Sequence, residues 1–213
     1  MLYLQLLLQI VFLTAVFLHI TKKNFGAVLA YSIQSLMIVL LLLNSFLETQ
    51  NTSLLWIMFI VLVVKVILAP LFFIKLIRKN ELIFSAATYL NTPLTLVVLA
   101  VLTAMAHSYK FAPLTGIIPV NTGLLSLAFS TMLLSLFLII NRKSALSQII
   151  GILSLENSIV AFAIFAGLEQ SFALQMGILF DISIWLIIAT SFMAMVYRHF
   201  GSLDATLMKK LTD

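Results

Sequence analysis

The 213-residue chain contains no cysteine, which removes disulfides, thiolate metal sites, iron–sulfur ligation and cysteine nucleophiles in one step. Charge is almost as scarce. Only 9% of the residues are Asp, Glu, Lys or Arg, where soluble domains carry about a quarter. Histidine occurs three times, at His19, His107 and His199, on separate segments and without the paired spacing of a haem or metal site. No metal ligation is therefore expected. There is no glycine-rich phosphate loop and no serine, histidine and acid set arranged for hydrolysis. The chain is expected to hold no cofactor and no catalytic centre; if it serves an enzyme, it does so as a non-redox membrane subunit.

Apolar residues are abundant, at 63% of the chain with a mean hydropathy of +1.21, and this composition belongs to an integral membrane protein. The formal charge of +5 does not point to nucleic acid, because the basic residues stand at the ends of apolar segments and not in one patch. Spanning about 30 Å of hydrocarbon takes about 20 apolar residues of helix. Seven such stretches are expected, at Leu2–Ile20, Phe25–Phe46, Leu54–Ile77, Ala86–His107, Asn121–Ile140, Ala145–Ala166 and Phe172–Tyr197. The fourth is interrupted by Asn91, Thr92 and Pro93 and is followed by Pro113, Gly116 and Pro119, so the count is seven or six. The fold class is all-α, a polytopic bundle of transmembrane helices. It divides into helices one to three over 1–85, a fourth helix with an external loop over 86–120, and helices five to seven with a tail over 121–213.

Positive charge collects in cytoplasmic loops. Lys22, Lys23, Lys75, Arg78, Lys79, Arg142, Lys143, Arg198, Lys209 and Lys210 all fall on one side of the seven-helix arrangement, and Lys110 falls opposite. The N-terminus is expected outside and the C-terminus in the cytoplasm. The first helix lacks a positive n-region and is followed by Lys22 and Lys23, so it reads as a retained span and not a signal peptide. Trp56, Tyr109 and Tyr197 near segment ends read as interfacial anchors.

Three ionisable residues, Lys65, Glu156 and Asp181, lie inside apolar stretches. At 1.5 Å per residue each sits roughly 14 to 17 Å deep, near the midplane. A charge at that depth costs roughly 3 kcal/mol on an insertion scale, and intramembrane charges commonly mark ion or proton pathways. A dry surrounding disfavours the charged form of a carboxylate and brings proton exchange toward neutral pH, while a nearby lysine opposes this. Gln34, Asn157, Ser154, Ser158 and Ser183 are placed to hold relaying waters. The alternative is that Lys65 forms a salt bridge that locks helices together. Pro70, five residues after Lys65, removes the amide that would bond the Val66 carbonyl, so a kink is expected there. A faint repeat accompanies the layer: Ser32-Ile33-Gln34-Ser35 is matched by Ser154-Leu155-Glu156-Asn157, an offset of 122 residues, which makes Gln34 the neutral counterpart of Glu156.

The segment Gly151-Ile152-Leu153-Ser154-Leu155-Glu156-Asn157, followed by a helix with Asp181 inside it and Arg198 at its end, resembles the three-helix K-type subunit of respiratory complex I and its relatives in Mrp-type antiporters. The longer chain, with the run Lys65-Val66-Ile67-Leu68-Ala69-Pro70-Leu71 and the ending Gly201-Ser202-Leu203-Asp204, is more similar to hydrogenase-4 component E. The resemblance implies a K-type-like unit at the C-terminus, with Glu156 and Asp181 in the places of the two acids of a lateral proton path. Aspartate in place of the family's second glutamate is one methylene shorter, which favours a bridging water over direct contact. The implied setting is the membrane arm of a complex I-like nickel–iron hydrogenase, such as a formate hydrogenlyase, in a prokaryotic cytoplasmic (inner) membrane. Antiporter-like and quinone-module-like membrane subunits and a soluble iron–sulfur and nickel–iron arm would be its partners. Proton or sodium ion would move. An autonomous secondary transporter with a midplane binding site and a purely structural scaffold are the alternative readings.

Overall fold

The computed structural model describes residues 2–79, 88–115 and 122–167. Among these the protein is all helical. Helix α1 covers Leu2–Ile20 and α2 covers Asn24–Thr49, joined by a three-residue turn. Asn51 then caps α3 (Thr52–Val61), its side-chain oxygen accepting the Ser53 amide at 3.0 Å. The same helix widens into a π-helical stretch at Leu62–Leu68 and resumes as α4 (Ala69–Lys79). After α5 (Thr92–Ala106) come a 3₁₀ turn at Tyr109–Phe111 and a single turn, α6 (Ala112–Thr115). Helices α7 (Thr122–Asn141) and α8 (Ala145–Phe165) complete the described chain.

Among the described residues five helices are long and apolar enough to cross a membrane: α1, α2, the continuous Thr52–Arg78 unit, α7 and α8. They match the first, second, third, fifth and sixth expected spans to within three residues at each end. The fourth starts later than expected. Asn91 accepts the Leu94 amide at 3.0 Å and Pro93 occupies the first turn, so the helix begins at Thr92 and not at Ala86. Its 15 residues reach about 22 Å, short of the 30 Å or so of hydrocarbon. The seventh expected span, with Asp181, Ser183, Tyr197 and His199, lies outside the described residues.

The hairpin α1–α2 packs against the hairpin α7–α8, with α1 beside α7 and α2 beside α8, while the Thr52–Lys79 unit runs along α2 and α5 runs along α7. A shift of 122 residues carries Leu2 to Leu124 and Asn24 to Leu146, inside the first turns of α7 and α8. The offset of the four-residue repeat is thus also the offset between the starts of the two helix pairs, to within two residues.

Apolar side chains form two separate cores. One gathers Leu7, Val11, Ile38, Leu42, Ile57, Val61, Leu125 and Val160. The other gathers Leu18, Val28, Tyr31, Phe73, Ile77, Leu138, Ile150 and Leu153. Between them every long helix contributes buried polar residues: Thr14 on α1, Gln34 and Ser35 on α2, Lys65 on the π-helical stretch, Ser130, Thr131 and Ser135 on α7, and Ser154, Asn157 and Ser158 on α8. A polar layer crosses the bundle where the cores part.

Candidate functional site

Lys65 is 2% exposed, and its ammonium approaches the Glu156 carboxylate at 2.5 Å and the Asn157 side-chain oxygen at 3.1 Å. An unpaired ammonium in an apolar core would be prohibitively costly, so this pairing is what allows the lysine to remain buried and charged. Asn157 is held in one orientation. Its amide nitrogen donates to the Ser35 hydroxyl at 3.0 Å and to the Gln34 carbonyl at 3.4 Å, which turns its oxygen toward Lys65. Gln34 in turn donates to the Val11 carbonyl of α1 at 3.4 Å. The fully buried Tyr31 lies beside Ser35 and within electrostatic reach of Glu156. The network therefore joins α1, α2, the π segment and α8.

The helix under Lys65 is wider than an α-helix for a reason that the sequence supplies. The Ala69 amide, which an α register would give to the Lys65 carbonyl, bonds the Val64 carbonyl instead. The next donor in a π register would be Pro70, which has none. The π run must end at that point. The Lys65 side chain on this stretch is set against α8. Pro70 was expected to kink the helix by freeing the Val66 carbonyl; its observed partner in that role is the wide turn that precedes it.

The serines of the layer form a second group. Ser135 on α7 is 2.9 Å from Ser154 and 3.4 Å from Ser158 on α8, and Ser158 also donates to the Ser154 carbonyl at 2.8 Å. The two helices approach closely because Gly151 faces Ile139. Of the expected site residues, Lys65, Glu156, Asn157 and Gln34 are brought into one network, and Ser154 stands with Ser135 and Ser158.

A third polar group was not foreseen. Arg142, read from the sequence only as a topology marker, is 4% exposed. Its guanidinium donates to the carbonyls of Leu18, His19 (3.1 Å) and Thr21 (2.8 Å), closing the C-terminal end of α1. Burial pushes its pKa below the usual arginine value, and the carbonyl end of the helix dipole favours the charge. Gln148 donates to the Arg142 carbonyl at 2.8 Å. Beside it Asn141 accepts the Leu90 amide at 2.9 Å and donates to Thr95 at 3.2 Å, tying the start of α5 to the end of α7. His19 donates to the Leu134 carbonyl at 3.0 Å and stacks on Phe137. Among the described residues no three of His, Asp and Glu lie together.

No family model matches the chain, and no curated protein or solved structure matches it significantly.

Proposed function

We propose that the chain is an ion-translocating membrane subunit in which the Lys65–Glu156 pair governs a mid-membrane proton path. The observation that carries this reading is a charged pair set between two apolar cores and connected through Asn157, Gln34 and Ser35 to two further helices, α2 and α1. A pair with one proton-accepting member in a dry layer can alternate between ion-paired and protonated states. In this reading, which the resemblance of its motifs to hydrogenase-4 component E and the K-type subunits supports, the chain would belong to the membrane arm of a complex I-like energy-converting hydrogenase. Antiporter-like and quinone-module-like subunits would lie beside it, with redox chemistry in a soluble arm. Asp181 would be the second acid of the path, with Ser183 near it. The positive-inside pattern gives an external N-terminus and a cytoplasmic C-terminus in the inner membrane of a prokaryote.

Replacing Glu156 with Gln keeps the shape and removes the charge. The E156Q complex should still assemble, at a reduced yield because the Lys65 ammonium loses its carboxylate, while ion translocation per assembled complex in inverted vesicles falls by about a hundredfold or more, the range lost with an essential proton carrier. The ion pair also favours a second reading, in which it only locks α8 to the π segment. In that case E156Q lowers the yield of complex, because an unpaired buried ammonium costs about 3–5 kcal/mol, and leaves the coupling of the surviving complex intact. Normal pumping per assembled complex removes the conduction reading.

A further inference from the structure

The basic end of the bundle gathers groups that the ion path does not use. Arg142 donates to the Thr21 carbonyl at 2.8 Å, which sets the α1–α2 turn, with the exposed Lys22 and Lys23, beside the α7–α8 turn, with Lys143. The segment before α5 joins them, the Tyr89 amide donating to the Asn141 carbonyl at 3.0 Å. Here the Lys143 ammonium lies 5.0 Å from the centre of the Tyr89 ring, within the range of a cation–π contact. Tyr89 is itself 60% exposed. Among the described residues the acids are Glu48, in the last turn of α2, and Glu156, inside the bundle, so among these residues an aromatic face and not a carboxylate positions the Lys143 cation. Just past this pair the surface turns apolar. Leu136 and Ile140 are exposed along the last turns of α7. Helix α5, tied at its start to Asn141, exposes Leu94, Val97 and Val101 along one face.

We propose that Lys143 and Tyr89, with Lys22 and Lys23 beside them, form the headgroup site of an anionic phospholipid whose acyl chains lie along the exposed faces of α5 and α7. The site is separate from the ion path and does not rest on the translocation reading. A phosphodiester takes charge-assisted hydrogen bonds from an ammonium and a further bond from a hydroxyl, and Lys143 and the Tyr89 phenol supply one of each. The preference of basic residues for one side of a membrane accounts for lysines at this end. It does not account for a lysine laid over a tyrosine at the head of an apolar strip. A zwitterionic headgroup carries a cation of its own, which three lysines repel, so the site selects a lipid of net negative charge. A soluble anion would meet the lysines and leave the strip uncovered, and so would an acidic peptide. A phospholipid covers both.

The test is a titration of the purified full-length chain, in a neutral detergent, with phosphatidylglycerol or phosphatidylcholine, read as lipid adducts by native mass spectrometry. A saturable phosphatidylglycerol adduct should form at least about tenfold more tightly than any with phosphatidylcholine, one decade in dissociation constant. Equal affinity for the two lipids overturns the proposal. K143A and Y89L should each weaken the adduct by at least about fivefold, the factor that one cation contributes at an anionic lipid surface. K143R and Y89F keep the charge and the ring and should bind within about twofold of wild type. A K143R chain as weak as K143A overturns the proposal, since the alanine effect would then be one of fold and not of charge. Lys75 is the control, an exposed cation on α4, which packs against α2. K75A should bind within about twofold of wild type, whereas a loss equal to that of K143A would reveal a general basic field in place of a site. Displacement of the lipid by millimolar inorganic phosphate would reveal a free-anion site that makes no use of the apolar strip, and it too overturns the proposal.

Discussion

Asn157 decides how the buried lysine is satisfied, and its importance is of a kind that only three dimensions reveal. Its amide donates to α2 and its oxygen accepts from Lys65, so truncation to alanine would leave Lys65, Ser35 and Gln34 each short of a partner. A buried polar group without its hydrogen bond costs about 1–3 kcal/mol. N157A should therefore destabilise the chain by at least about 2 kcal/mol, read from unfolding in mixed micelles, whereas N157Q, which can reach one side only, should lie between it and wild type. Arg142 is the parallel case at the other end of the bundle. R142A removes the donor to the α1 carbonyls of Leu18 and His19 and to the Thr21 carbonyl just beyond and should cost about 3 kcal/mol, with R142K restoring less than half because an ammonium cannot fork to three acceptors. Equal stability of R142A and wild type would show that water satisfies those carbonyls. Lys65 and Glu156 were legible in the sequence because a charge inside an apolar run is conspicuous. Asn157 was legible only as a polar neighbour. Arg142 was read only as a topology marker, because an arginine between two apolar stretches looks the same whether it faces the cytoplasm or folds back onto a helix end 121 to 124 residues away.

Elements show a similar division between composition and geometry. Hydropathy marks where α1, α2, α7 and α8 begin and end, since bilayer thickness and helix rise leave little freedom. The interior of the third span was not legible, because a π stretch has no compositional signature of its own, and only Pro70 hinted that the hydrogen-bond ladder would change register there. A π turn amounts to one extra residue in an α-helix, and deleting one restores the α register with a local rotation of about 100° per residue. Ile67 is exposed and lies within the wide turn. Its deletion should keep α3 and α4 in phase with α2, pull the Lys65 ammonium off Asn157, and lower translocation more than it lowers the yield of complex. A deletion chain that translocates normally would show the wide turn to be incidental. Close packing of α7 on α8 is testable separately: a Cβ at position 151 would lie 2.9 Å from the Ile139 Cγ1 and 3.3 Å from its backbone nitrogen. G151A should cost about 1–3 kcal/mol as an overpacked contact, and G151L should separate the helices and break the Ser135 to Ser154 contact.

For the molecule as a whole, the midplane layer and the two apolar cores are two views of one arrangement. The long helices α1, α2, α7 and α8 each contribute polar residues between the two cores, and the hairpins α1–α2 and α7–α8, related by the 122-residue offset, meet with Gln34 and Ser35 against Asn157. Motifs that resemble each other in sequence are thereby neighbours in space, as expected when parallel repeats pack about an axis along the membrane normal. The arrangement fixes which helix ends share a side of the membrane but not which side is the cytoplasm, and that rests on the basic residues alone. Because the chain has no cysteine, single cysteines can be introduced on an otherwise silent background. Cysteines at Lys22 and Lys143, on the turns beside Arg142, should react with an impermeant maleimide only in inverted vesicles, and those at Gln50 and Tyr109, both exposed, only in intact spheroplasts. The opposite pattern would reverse the orientation while leaving the Lys65–Glu156 pair at the same depth. In that event the proton path would be entered from the other face, and the Arg142 clamp on α1 would stand at its outer mouth.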